Sequence, residues 1–194
     1  MVYIDDHIYA FDLQAALATI SQQRREQALK FKFEQGQRTC VLAYLLLKRA
    51  LREEYGLTEN PVFDYGAHGK PYIVGHPDIH FNLSHCHEAV ACVVADHPVG
   101  IDVESVREYK DGVVEYTMNP QELALIAAAE RPDAAFVRLW TMKEARLKLT
   151  GEGITNDIKQ ALADSHRYRF TTVERLDHNY IYTVCEERAL KVEG

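Results

Sequence analysis

The 194-residue chain has no long apolar stretch, no CxxC pair and no dominating block of one charge. Apolar runs such as Val41–Leu47, Ala89–Ala95 and Leu123–Ala129 are seven residues long, against the roughly 20 that a membrane-spanning helix needs. The opening MVYIDDHIYAFDL lacks a basic patch followed by an apolar stretch, so no secretory signal is expected. Four cysteines (Cys40, Cys86, Cys92, Cys185) without metal or redox spacing read as reduced structural thiols, and a cytoplasmic location is expected. Ten glycines and six prolines are too few for a fibrous or low-complexity chain. What is there is a globular composition, 47% hydrophobic and 26% charged, sufficient for one domain or two small ones.

Net charge is −7, which argues against nucleic-acid binding. The charge is unevenly placed. Between Arg24 and Arg52 stand eight Lys or Arg against Glu26 and Glu34, a local +6 that leaves −13 for the remainder. Such a segment suits a small polyanionic ligand, or is simply a solvated helix face.

Apolar spacing predicts a first strand near Val2–Ala10, a helix over 13–33 and a stronger helix from Arg38 to Tyr55, stopped by Gly56. Short strand-like runs separated by Gly and Pro occupy 60–104. Asn119 before Pro120 predicts a capped helix to Ala129, and a further helix runs from Asp133 to Leu149, ended by Gly151 and Gly153. Strands over 168–173 and 180–185 complete an α+β chain. Element order repeats across a join near Pro98, so two similar lobes, 1–98 and 99–194, are expected.

Three stretches carry chemistry. In Gly100-Ile101-Asp102-Val103-Glu104, strand alternation sends Asp102 and Glu104 to one face. Two adjacent carboxylates repel unless a cation such as Mg²⁺ joins them; otherwise they are a plain solvent-facing pair. In Trp140-Thr141-Met142-Lys143-Glu144 with Lys148, helical spacing puts Trp140, Glu144 and Lys148 on one stripe, either as a third carboxylate and a phosphate partner or as an ordinary i,i+4 ion pair. In Phe81-Asn82-Leu83-Ser84-His85, with Gly69-Lys70-Pro71 upstream, a histidine and a lysine stand at strand ends, where they suit phosphate, or His85 is a satisfied structural histidine.

These four segments, in this order and separation, resemble the 4′-phosphopantetheinyl transferase superfamily, on its longer, Sfp-like branch. The resemblance implies two α+β lobes related by a pseudo-twofold, with the coenzyme A nucleotide on the first and the catalytic helix on the second. It implies Mg²⁺ on Asp102, Glu104 and Glu144, with Lys148 near the diphosphate and His85 on coenzyme A phosphates. Lys70 and Ser84 then lie at the nucleotide end, and Arg38-Thr39 with the basic segment at the 3′-phosphate. Two lysines common in this branch fall near Gln23 and Glu26 here, so Arg24, Arg25 or Lys30 is expected to replace them. Glu122 aligns with a glutamate accessory to the helix lysine.

The implied reaction moves 4′-phosphopantetheine from coenzyme A to a serine of an apo acyl or peptidyl carrier protein. Glu144, directly or through water, is the expected base, and Lys148 and His85 neutralise phosphate charge. A monomer is expected, since the doubled pattern lets one chain build the whole site. The carrier is expected at an apolar groove with local positive charge on 105–120 (Val113, Val114, Tyr116, Met118), residues that otherwise read as core. Two rivals stand beside this reading: a zinc or manganese hydrolase using His80, His85, His87 and the carboxylates, and a non-catalytic module that binds coenzyme A or a carrier.

Overall fold

The computed structural model describes residues 1–66, 68–151, 153 and 157–188. The first half contains β1 (Val2–Asp5), α1 (Leu13–Thr19), α2 (Gln22–Leu29), α3 (Glu34–Tyr55), β2 (Phe63–Tyr65), β3 (Pro71–Ile73), β4 (His80–His85) and β5 (Val90–Ala95). The second contains β6 (Val99–Ser105), α4 (Asp111–Thr117), α5 (Pro120–Ala128), α6 (Pro132–Thr150), β7 (Tyr168–Arg175) and β8 (Tyr180–Glu187). Among the described residues no helix is long and apolar enough to cross a membrane.

Local chemistry explains most boundaries. Gly56 and Gly151 sit in the left-handed region (φ 70° and 75°) and end α3 and α6, as glycine does without steric cost. Asn119 caps α5 by accepting from Glu122 N while the Glu122 side chain accepts from Asn119 N, a complete capping box. The single helix expected over 13–33 is two. Ile20 turns extended and Ser21 accepts from Arg24 N, so the chain restarts as α2. The seven-residue α4 was not expected. It has no side-chain cap and lacks a clear apolar period.

Each half builds a three-stranded antiparallel sheet, ordered β1-β5-β4 and β6-β8-β7. In both, the last strand lies between the first and the penultimate one, so the strand order repeats. The two sheets meet where β4 faces β6 without a shared backbone ladder. Side chains make the joint instead. Asn82 Oδ1 accepts from Ile101 N (3.1 Å) and Ser84 Oγ accepts from Val103 N (3.2 Å), a two-residue step on each strand that sets them parallel.

Helix α3 packs its apolar face on β5, and α6 lies on β6 and β8. The α6–β6 approach is unusually close. A Cβ at Gly100 would lie 2.0 Å from Ala145 O and 2.6 Å from Leu149 N, so only glycine fits there. That contact sets Glu144 and Lys148 beside the strand that carries Asp102 and Glu104.

Candidate active site

At the β4–β6–α6 junction three predicted residues meet. Lys148 Nζ donates to Asp102 Oδ1 at 2.6 Å and to Ser84 Oγ at 2.9 Å, and Ser84 Oγ donates to the same Asp102 oxygen at 2.9 Å. Asp102 is 2% exposed and Ser84 7%, so the cluster is sealed on its strand side. Ile101 and Val103 point the other way, into the apolar core between the sheets, as alternation requires. Glu104 Oε1 accepts from Trp140 Nε1 at 3.3 Å, which joins the aromatic end of the α6 stripe to the strand.

The carboxylates are held against their preference for water and distance. Burial, then the nearby Asp102 charge, pushes Glu104 up to about 7, and the same two causes raise Glu144. Lys148 works against both shifts. Asp102 Oδ2 and Glu144 Oε1 are buried and have no hydrogen-bond partner among the described residues. Acceptor oxygens left in this state, beside a third carboxylate, lack positive charge, and a hard divalent cation taking oxygen ligands fits them. Among the described residues no three His, Cys, Asp or Glu side chains already converge as a metal cage. That applies equally to these carboxylates and to His80, His85 and His87; Cys86 and His87 lie beyond the end of β4. Mg²⁺ normally completes its shell with waters and substrate phosphates, so one or two protein carboxylates suffice for it.

His85, the exposed last residue of β4, shares a cavity of about 380 Å³ with Thr39, Phe31, Lys32, Gln35 and Gly36. Desolvation, then the charges of Lys148 and Arg24, lower the His85 pKa below the usual histidine value. Arg24 and Arg38 are engaged elsewhere. Arg24 donates twice to Cys40 O (3.1 and 2.9 Å), and Arg38 pairs with Glu34 at 2.7 Å and donates to Phe11 O at 2.9 Å. Neither lines the cavity; Lys32 and Gln35 do. Sequence reasoning missed both, because a run of basic residues does not say which part of it faces His85.

Lys70 and Glu122 also have partners that their motifs did not announce. Lys70 Nζ donates to Leu149 O at 2.7 Å and reaches Val99 O at 3.5 Å, and its desolvation lowers its pKa. Glu122 pairs with Lys143, not with Lys148. The Lys143 ammonium is fully buried, 2.7 Å from Glu122 Oε2 and 2.8 Å from Thr117 O. On 105–120, Met118 is fully buried while Val113 and Tyr116 are exposed. A groove of about 460 Å³ does open there, between α4, α5 and α6, but its rim is acidic (Glu108, Asp111, Glu115, Asp133), where local positive charge was expected.

Comparison with known proteins agrees with this architecture. A family described as "4'-phosphopantetheinyl transferase, N-terminal" matches residues 9–98, and the "4'-phosphopantetheinyl transferase superfamily" matches 98–192. The chain is 33% identical over 178 residues to the 4′-phosphopantetheinyl transferase psf-1 of Bacillus pumilus, covering 90% of this chain and 76% of that protein. It is 24% identical over 200 residues to the transferase Sfp of Bacillus subtilis strain 168, covering 95% and 89%. It is 31% identical over 171 residues to the transferase HetI of a Nostoc species, covering 82% and 72%. With both halves matched and the strand–helix seam in place, the chain belongs to the 4′-phosphopantetheinyl transferases, on their Sfp-like branch.

Proposed function

We propose that the enzyme takes 4′-phosphopantetheine from coenzyme A and places it on a serine of an apo acyl or peptidyl carrier protein, releasing adenosine 3′,5′-bisphosphate. The observation that carries this reading is the pair of unpartnered buried oxygens, Asp102 Oδ2 and Glu144 Oε1, beside an ammonium at the joint of two lobes. Phosphoryl-type transfer asks a protein chiefly for positioning and charge neutralisation.

Asp102, Glu104 and Glu144 are the residues that would hold Mg²⁺. When bound, that ion neutralises diphosphate charge and fixes its orientation. Lys148, already one hydrogen bond from Asp102, faces the anion from the α6 side. His85 does so from β4, and its lowered pKa suits a neutral donor more than a standing cation. Thr39, Lys32 and Gln35 line the cavity beyond His85, where a terminal phosphate would be held by a lysine and hydrogen-bond donors. Glu144 is the residue that would accept the serine proton, directly or through water, its raised pKa making it a better base than a free carboxylate. Ser84 orients Lys148 and Asp102 through its three bonds and has no lone hydrogen left for a ligand.

Mass spectrometry of an apo carrier mixed with enzyme, coenzyme A and Mg²⁺ tests the reading. The expected result is a gain of one phosphopantetheine per carrier, abolished by a chelator and restored by added Mg²⁺. No gain on several unrelated carriers would overturn it in favour of a binding module.

A further inference from the structure

We infer that Lys70 is a positioning residue, an inter-lobe bolt whose ammonium caps the end of α6 and thereby fixes Lys148 at the seam. This inference rests on the transfer reading only for its kinetic arm.

The last carbonyls of a helix have no intrahelical donor and carry the negative end of its dipole. In α6 the left-handed Gly151 returns its own N–H to Leu147 O at 2.8 Å, which leaves Leu149 O beyond the reach of that cap. Among the described residues it is Lys70 that donates to Leu149 O, at 2.7 Å, and it extends to Val99 O at the start of β6. One side chain therefore ties the β2–β3 hairpin of the first lobe to both the helix and the first strand of the second. Its delivery is built in. The hairpin turn is closed by Gly66 N on Lys70 O (3.0 Å) and Gly69 N on Gly66 O (2.9 Å), with Gly69 at φ 78°. A Cβ at Gly151 would lie 3.5 Å from Lys70 Cδ, so the lysine stem lies along the glycine that ends α6.

The chemistry also says what Lys70 is not. Among the described residues the half-buried ammonium is held by directed hydrogen bonds to two carbonyls, and releasing them to greet a phosphate would take this donor away from Leu149 O. The small cavity of about 230 Å³ beside it has the hairpin residues Gly69, Lys70 and Pro71 as one wall and Glu144, Leu147 and Lys148 as the other. Loosening the bolt therefore widens the space in which Lys148 acts. A misplacement of about 1 Å can cost about 100-fold in rate.

The test compares Lys70→Met and Lys70→Arg with wild type in three measurements. Hydrogen exchange at the Gly151 amide is expected to accelerate in Lys70→Met and to recover in Lys70→Arg, which retains a donor. In carrier loading, kcat is expected to fall by about 10- to 100-fold in Lys70→Met, while calorimetric coenzyme A affinity stays within about threefold, a loss under 1 kcal/mol. Adding Lys70→Met to Lys148→Ala should then cost little more, since the two act in one chain. A large loss of coenzyme A affinity with kcat intact would overturn the inference in favour of direct ligand contact. Unchanged Gly151 exchange in Lys70→Met would overturn it as well. A wild-type enzyme that loads no carrier would sink the transfer reading, and the exchange measurement would still decide the bolt.

Discussion

The two long helices, α3 and α6, back sheets of the same strand order, yet they bury different chemistry. Helix α3 buries Val41, Leu42, Ala43, Tyr44, Leu46, Leu47, Ala50 and Leu51, and the one phenol in that set donates to Pro61 O. Helix α6 buries Thr141 and Lys143, and holds Glu144 and Lys148 half-buried against β6. The first is a conventional apolar buttress. The second accepts groups whose burial is costly, because β4 of the first half, its own sheet and α5 supply Ser84, Asp102, Thr183 and Glu122 to meet them. Where neighbouring elements bring matching polar groups, a helix can carry charge inward; where they do not, it buries uncharged side chains.

That division is open to breakage. The largest effect is expected for Glu144→Gln, which keeps shape and removes a carboxylate charge. Turnover should fall by about 10³-fold or more, while the melting temperature holds or rises, since burial and Asp102 already disfavour that charge. A melting temperature that falls steeply in scanning calorimetry would make Glu144 a structural residue. Next in size is Leu47→Ala on α3. It should cost about 2–5 kcal/mol in denaturant unfolding and leave kcat per folded molecule unchanged; a matching loss of kcat would end the contrast between the helices.

The smallest effect belongs to the lobe junction. His97 hydrogen-bonds Asp96 at 2.7 Å and Glu186 at 3.1 Å; the Asp96 bond, aided by Glu186, outweighs desolvation and raises its pKa. A histidine with a raised folded pKa lends its stability fully below the unfolded value of about 6.5 and loses it as pH climbs through the folded one. The ring is half exposed, so solvent screening limits the gain to at most about 1 kcal/mol. Unfolding curves from pH 5.5 to 8.5 should show this decline in wild type and lose that component in His97→Gln. Equal slopes in both would remove the bridge from the junction.

Much of this molecule was readable from residue order alone. Gly56, Gly151, Asn119 and Pro120 mark helix ends by local stereochemistry, which needs no knowledge of the rest of the chain. Asp102, Glu104, Glu144 and Lys148 were legible because period-2 and period-3.6 patterns assign faces. What a face meets is not local information. Lys143 is a lysine one position from Glu144, and nothing in its neighbourhood says that α5 will bring Glu122 to it. Arg24, Arg38 and Lys32 share a basic segment, and only the turn between α2 and α3 decides that Lys32 lines the His85 cavity while the arginines bind main-chain carbonyls. The acidity of the groove on 105–120, by contrast, was local information: Glu108, Asp111 and Glu115 stand within that stretch against Arg107 and Lys110, and only Asp133 joins them from α6.

The side-chain joint between β4 and β6 has a consequence for the chain's solubility. An uncovered strand margin is a template for foreign strands and for fibril growth. Here each margin is occupied by the other, with Asn82 and Ser84 plugging the amides of Ile101 and Val103. Separating the two halves would uncover both margins at once, so each half covers an edge strand of the other.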